Sequence, residues 1–340
     1  MTQRVDVFKL TRELIDIPSV TGDEFHIGTS LAELLNRLGY QVELLELTKD
    51  RANLIATTGD QPRVVLSTHM DTVPPHMNSS EDDEFIHGRG ACDAKGIIAA
   101  QIAAAERLRA GGVTQIGLLF TVDEEVTSAG AKAMNAHPLS SACQYLINGE
   151  PTDNQLAIGT KGSLQVTIKT EGQAAHSAYP EQGVSAIEKL LDVLADVRSI
   201  AWPADEIFGD TTSNIGVISG GTRANVVPDE ARTVLQIRLA GRAQAAKDLL
   251  ETAVGGRASL EYKSVHDPMR LLALDGFEQT IVRFTTDIPY LTNWGTPLLI
   301  GPGSILDAHT DHERVRKSEL LRAVEIYSDL AKQLLSSRVR

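Results

Sequence analysis

Cysteine is scarce. Cys92 and Cys143 are the two in 340 residues, so no disulfide framework can form and a reducing compartment fits. Aromatic residues make up only 4% of the chain, too few for the stacking platform that single-stranded nucleic acid needs. Positive charge is also short: Lys+Arg 32 against Asp+Glu 45 leaves a net −13. A charge of that sign argues against nucleic acid or an anionic membrane surface as partner. The longest apolar run, residues 97–105, is Ala-rich and broken by Gln101, so no membrane span is expected. Residues 1–6 have no apolar stretch behind them, so no secretory leader is expected either. What remains reads as an acidic, soluble, cytoplasmic protein. With 42% apolar residues it can bury a sizeable core, and its length allows two domains.

Apolar spacing predicts a helix around Val7, Leu10 and Leu14, and a second around Leu31, Leu34, Leu35 and Leu38 that stops at Gly39. Strands are predicted over 42–47, 53–57 and 63–67, a helix over 94–109, a strand over 116–122, a helix over 128–136 and a strand over 145–148. Such alternation predicts an α/β sheet covered on both faces. Beyond residues 159–162 the pattern changes: strand 164–170, helix 184–197, strands 213–219 and 231–239, helix 243–254, strand 259–264. That order, βαββαβ, is the ferredoxin-like signature. The tail returns with a helix over 276–285, a strand over 297–300 and a last helix from about residue 318. The expected fold class is α/β with an inserted α+β domain. Residues 1–161 and 272–340 form one part and 162–271 the other.

Acids and histidines gather at the predicted strand ends. His69 and Asp71 close one buried strand and share a face, so Asp71 can hold the His69 ring while its other nitrogen binds a metal. Taken alone, a His-Asp pair suits a plain polar loop equally well. His87-Gly-Arg-Gly-Ala-Cys-Asp93-Ala-Lys-Gly96 looks like a phosphate loop, but Asp93 stands where the third glycine of a dinucleotide turn belongs, and the chain has no Gly-Lys pair. It reads instead as a glycine-rich turn that presents Asp93 at a helix start. Asp123-Glu124-Glu125 follows an apolar strand; one Glu can coordinate a metal while its neighbour takes a proton from water, although three acids also suit a solvated loop. Glu150 ends the next strand, and His309 follows the loop that starts at Gly301-Pro-Gly303-Ser304. Two imidazoles and several carboxylates without a thiolate suit zinc, with cobalt or manganese as alternatives. A carboxylate shared by two ions would hold them about 3.5–4 Å apart. No Gly-x-Ser-x-Gly elbow occurs, and both cysteines read as structural thiols.

Several segments together resemble one family. They are Ser67-Thr-His69-Met-Asp71-Thr-Val-Pro74, Gly88-Arg-Gly-Ala-Cys-Asp93-Ala-Lys-Gly96, Asp123-Glu-Glu125, Gly149-Glu-Pro-Thr152, and Gly301-Pro-Gly-Ser304 with Ala308-His309-Thr310. The family is that of zinc-dependent acetylornithine deacetylase and succinyl-diaminopimelate desuccinylase, which also holds carboxypeptidases and aminoacylases. The resemblance implies a zinc-peptidase-like α/β catalytic domain with an inserted ferredoxin-like lid and dimerisation domain, and hence a homodimer. It implies His69, Asp93 (bridging), Glu125, Glu150 and His309 as ligands of two divalent ions, Zn2+ before Co2+ or Mn2+. Glu124 matches the general base and Asp71 the carboxylate that orients the first histidine. In the insertion, His176 matches a histidine that stabilises the oxyanion, often across the dimer, while Arg223, Asn225 and Arg238 match positions that contact the substrate carboxylate. The reaction implied is hydrolysis, by metal-activated water, of an N-acetyl or N-succinyl group from an amino acid. The alternative within the family is a di-/tripeptidase or carboxypeptidase. A non-catalytic metal-binding dimer would lack Glu124 or a ligand, and none is missing.

Overall fold

The structure, a computed structural model, describes residues 5–59 and 61–336. The outer ends of the expected 1–161 and 272–340 segments, and most of the stretch read for a leader, lie outside the described residues. Helix α1 (Val7–Ile15) is capped by the Asp6 carboxylate, which accepts from the N–H groups of Phe8 and Lys9. Helix α2 (Phe25–Arg37) follows, then strands β1 (Gln41–Thr48), β2 (Arg51–Thr57) and β3 (Val64–His69), helix α3 (Lys95–Ala110), strand β4 (Ile116–Thr121), helix α4 (Ala129–Met134) and strands β5 (Tyr145–Asn148) and β6 (Leu156–Thr160). Next come β7 (Gly162–Glu171), α5 (Ala186–Arg198), β8 (Thr212–Gly220), β9 (Glu230–Leu239), α6 (Ala243–Val254) and β10 (Ser259–His266), before the chain ends in β11 (Thr296–Leu299) and α7 (Lys317–Ser336).

These elements form two compact units. The larger comprises Met1–Ile158, Leu271–Thr280 and Thr286–Arg340; the smaller comprises Gly159–Arg270 and Ile281–Thr285. One expectation is corrected here. The helix predicted over 276–285 is absent: Gln279–Val282 is a strand, and Ile281–Thr285 belongs to the smaller unit, where the Lys161 N–H donates to the Val282 carbonyl at 3.0 Å. The β-branched run Thr280-Ile281-Val282 favours extended chain over helix.

In the larger unit the sheet order is β1-β2-β4-β3-β5-β11-β6. Strand β3 runs parallel to β4 and β5, and β5 runs parallel to β11, so four strands point their carboxyl ends to one edge. Both sheet faces are covered, and the residues alternate accordingly. Leu54, Val64, Leu66, Leu118, Phe120 and Ile147 face one core with α1, α2, α3 and α7. Ile55, Val65, Leu119 and Leu146 face a second core with α4 and Trp294. Almost every residue of α3 is buried, as suits a helix packed between the sheet and α1 and α7. Among the described residues no helix is long and apolar enough to cross a membrane.

The smaller unit has the sheet order β8-β9-β7-β10, wholly antiparallel, with α5 and α6 on one face over Leu164, Val166, Ile168, Leu235 and Ile237. Both halves of the molecule therefore have the α/β and ferredoxin-like α+β architectures that the strand and helix order predicts. Strand β8 lies at the edge and is exposed along most of its length, with Val217 and Ile218 each 55% exposed.

Trp294 anchors the second core: fully buried, it donates its Nε1–H to the Met134 carbonyl at 3.0 Å and stacks on His137. Trp294→Ala is expected to cost about 3–5 kcal/mol, the usual range for deleting a buried aromatic. Urea unfolding monitored by circular dichroism measures it; a loss below about 1 kcal/mol would show that the second core does not depend on this ring.

Candidate metal centre

The site is built at the carboxyl edge where the four parallel strands end, which is where open α/β sheets bind ligands. His69 is the last residue of β3; Glu124 and Glu125 follow β4, Glu150 follows β5, and His309 lies on the loop after β11. Asp93 comes from the glycine-rich turn just before α3, close to the positive end of that helix. At Gly90 the turn needs φ +90°, and a Cβ there would meet the Lys95 side chain at 2.8 Å.

Asp93 is the centre of the arrangement. Its Oδ1 lies 2.9 Å from His69 Nε2, and its Oδ2 lies 3.2 Å from His309 Nε2. His309 Nε2 also lies 3.0 Å from Glu125 Oε1. Ligand atoms of His69, Asp93 and Glu125 all fall within 4.8 Å of one another. Glu150 is buried, within electrostatic reach of His69, Asp93 and Glu125, and its Oε1 has no hydrogen-bond partner among the described residues. An orphaned carboxylate oxygen beside a carboxylate that faces two imidazoles is a donor set that fits divalent cations.

Asp71 meets the His69 ring chiefly through its main chain. The nearest partner of His69 Nδ1 is the Asp71 main-chain oxygen at 2.9 Å, with the carboxylate Oδ1 farther off at 3.6 Å. That carboxylate instead accepts from the Glu124 N–H at 3.1 Å, the Glu125 N–H at 3.2 Å and the Thr21 hydroxyl at 2.8 Å. The residue as a whole, main chain and carboxylate, therefore holds the His69 ring and the Glu124-Glu125 backbone in one grip. The turn is further held at Asp123, whose φ is 69°. Arg51 bonds the Asp123 carboxylate at 2.7 Å and pairs in bidentate fashion with buried Glu24 at 2.8 Å.

Crowding of acids sets the electrostatics. Burial, then Glu150, pushes the Glu124 carboxyl well above its ordinary range, and burial likewise raises Glu150 and Glu125. Burial alone would lower His69, but Asp71 and Asp93 raise it well above the usual imidazole range. Asp93 and Glu125 push His309 up to about 10. Burial would raise Asp93, yet the two imidazoles hold it far below the carboxylate range. The Cys92 thiol is buried and raised, and Cys143 is pushed up to about 12 by burial, so neither is a ready nucleophile.

The remaining expected residues lie in the smaller unit, in two places. His176 pairs with Val226 in a short ribbon, and Arg223 and Asn225 sit on the adjoining turn, all three exposed. Arg238 is half-buried on β9 opposite Thr212, with no side-chain hydrogen bond or ion pair among the described residues. Ala231, at the ribbon end of β9, pairs with Gly220, so seven strand steps separate the two ends. At roughly 3.3 Å per step that is about 23 Å. Among the described residues no hydrogen bond or ion pair links Arg238 to the ribbon.

Sequence reasoning missed several supports: Arg51 with Glu24, Glu313, and Asp287. Asp287 is buried, accepts the Thr121 hydroxyl at 2.7 Å, and is pushed up to about 6 by burial. No local pattern marks these residues. Only the arginine in Gly88-Arg89-Gly90 hinted that a buried carboxylate lay opposite; Glu313 bonds it at 2.6 Å.

This fold and site define a metallohydrolase class. The model for Peptidase family M20/M25/M40 matches residues 65–333, and the chain belongs to that family of peptidases. It is 36% identical over 334 residues to a peptidase M20 domain-containing protein of Schizosaccharomyces pombe, covering 95% of this chain and 83% of that protein. It is also 36% identical to a probable carboxypeptidase of Aspergillus terreus, covering 94% of this chain and 84% of the relative. Its fold is shared with a tripeptidase from Staphylococcus aureus at TM-score 0.80 and 24% identity, covering 98% of this chain and all of the other.

Cation binding must displace protons from this crowded site. His309 keeps its proton up to about pH 10 in the metal-free chain, so a ligand nitrogen there must lose it on binding. Calorimetric titration of Zn2+ in buffers of different ionisation enthalpy should show net proton release at pH 8, vanishing for this group above about pH 10, and an affinity that weakens as the pH is lowered below about 10. Buffer-independent heats at pH 8 would contradict the assignment of His309.

Proposed function

We propose that the chain hydrolyses the amide bond to a residue with a free α-carboxylate, in short peptides and in their smallest analogues, N-acyl amino acids. The observation that carries the reading is Asp93 between two imidazoles, in one cluster of acids with Glu124, whose carboxyl is raised by burial and by Glu150. His69, Asp93 and Glu150 would hold one divalent ion; Asp93, Glu125 and His309 would hold the other, with Zn2+ the best match and Co2+ or Mn2+ the alternatives. Bound there, such ions would lower the pKa of a water towards about 7 and polarise the scissile carbonyl. Glu124 takes the proton from the attacking water and passes it to the leaving amine, a role typically worth about 10²–10⁴-fold. Burial and Glu150 raise its pKa, which favours the protonated form it takes between accepting and passing on the proton. Asp71 aims it by binding the two main-chain N–H groups of the turn.

Arg238 receives the substrate carboxylate, a role its unpartnered guanidinium supports. Arg223 and Asn225 on the ribbon offer further polar groups, and His176 stabilises the carbonyl oxygen as charge builds on it. Because the ribbon end of β9 lies seven strand steps, about 23 Å, from Arg238, a small substrate would reach both if the ribbon served a partner's site. A homodimer supplies that partner, and the open edge of β8 with exposed Val217 and Ile218 supports such pairing. The inserted unit is then both lid and dimerisation element. Sedimentation velocity across a concentration series should give a dimer; a persistent monomer would remove the basis for this role of His176.

The curated relatives named probable carboxypeptidase support the peptide side of the reading. N-acetyl and N-succinyl amino acids carry the same bond with a shorter acyl part. Metal-loaded protein should therefore be offered N-acetyl and N-succinyl amino acids, N-blocked dipeptides, and unblocked di- and tripeptides, with released amine counted. Cleavage confined to the acyl amino acids would make it a biosynthetic deacylase; cleavage of peptides with a free carboxylate would make it a carboxypeptidase or small peptidase. Glu124→Gln should keep its metal and lose about 10²–10⁴-fold in kcat. Arg238→Ala should lose roughly 10–100-fold in kcat/KM, mostly through KM, and stop discriminating against C-terminally amidated substrates. Silence towards every member of the panel, with metal bound, would overturn the proposal.

A further inference from the structure

A shared ligand must present its two oxygens within a few tenths of an ångström, yet Asp93 lies on an irregular turn, where backbone is ordinarily mobile. Something must fix it. The turn closes around a single buried side chain from the opposite end of the chain. Glu313 has a carboxylate with no exposed surface, and its Oε1 accepts the main-chain N–H groups of Gly90 at 3.0 Å, Cys92 at 3.2 Å and Asp93 at 3.2 Å. Its Oε2 accepts from Arg89 at 2.6 Å, and its main-chain oxygen accepts from the Gly88 N–H at 3.0 Å. Every one of these donors lies between Gly88 and Asp93, so the turn is wrapped on one anion in the manner of an anion-binding nest.

Glu313 is also the fourth residue after His309, so it sits on the segment that carries that second imidazole. The same segment presses on the turn at Gly303, where a Cβ would come within 2.4 Å of Cys92 Cβ. The two loops that supply Asp93 and His309 therefore meet at one carboxylate.

We infer that Glu313 is a positioning residue for the metal centre: it fixes the Asp93 backbone and ties it to the His309 loop, so that Asp93 faces both imidazoles at once. Arg89 balances the buried charge without itself reaching the ligands. The inference rests on the two-ion reading above. Supports of this kind, one step removed from the ligands, typically change metal affinity by about 10–100-fold.

Glu313→Gln keeps the shape but turns amide N–H groups towards Arg89 or the main-chain donors, so one set of bonds is lost. Glu313→Asp keeps the charge and draws the turn inward by one methylene. Full-length protein of each kind would be stripped of metal and titrated with Zn2+ and Co2+, with metal content, the Co2+ visible spectrum and Tm as readouts. Both variants should bind the ion assigned to Asp93, Glu125 and His309 about 10–100-fold more weakly, with an altered Co2+ spectrum. Leu334→Ala, a buried change in α7, supplies a comparison of lowered Tm with wild-type metal affinity.

A reduced Tm with unchanged affinity for both ions and an unchanged spectrum would overturn the inference and leave Glu313 a merely structural residue. Should Glu313→Gln fail to fold, Glu313→Asp decides the matter by the same readouts. A wild type that binds one ion only would overturn the two-ion reading instead, and Glu313 would then be judged by the affinity of that single ion.

Discussion

Buried negative charge at the carboxyl edge of a parallel sheet is the constraint around which this molecule is organised. Asp93, Glu125 and Glu150 cluster there with Glu124 beside them, and among the described residues two imidazoles are the cationic partners that touch the ligand acids. Bringing several carboxylates together out of water is costly unless each is paired, hydrogen-bonded or neutralised. The raised carboxyl pKa values and the protonated histidines are how the metal-free chain meets that demand. Divalent cations would meet it more completely, since they replace shared protons with charge of the required sign.

Much of the surrounding structure serves to hold that charge in register. Asp71 reaches both the first histidine and the backbone of the acidic turn; Arg51 and Glu24 pin Asp123 in a left-handed conformation that few side chains adopt. The glycine-rich turn around Asp93 is wrapped on Glu313 and backed by the N-terminus of α3. Beneath these loops, the nearly all-buried α3 and the sheet form the rigid floor from which they project. Loops fixed to a rigid scaffold in this way combine an exposed site with a precise geometry.

The smaller unit solves a different problem. A site made almost entirely of acids recognises no carboxylate by itself, and substrate recognition needs cations from elsewhere. In the proposed reading Arg238 and the His176 ribbon supply them, and seven strand steps lie between Arg238 and the ribbon end of β9. The proposed pairing of two chains would account for both the exposed edge strand and this spacing.

The amino-acid sequence alone determined the α/β alternation, the βαββαβ insertion and the candidate ligands, because each depends on local chemistry: hydrophobic period, turn residues, and acids or histidines that end apolar strands. His69, Asp93, Glu125 and His309 were legible this way, and the structure brings their ligand atoms together. The segment 276–285 misled because its apolar spacing fits a helix while its β-branched run and its neighbours favour a strand. Glu313, Arg51, Glu24 and Asp287 were not legible, since each matters through a partner far along the chain. Glu313 and Arg89 are 224 residues apart, and no local pattern encodes such a pair. Only the tertiary structure decided that Asp71 grips backbone as well as the histidine, and that Arg238 sits seven strand steps from the far end of β9. Both are matters of direction and distance in space, which residue order does not carry.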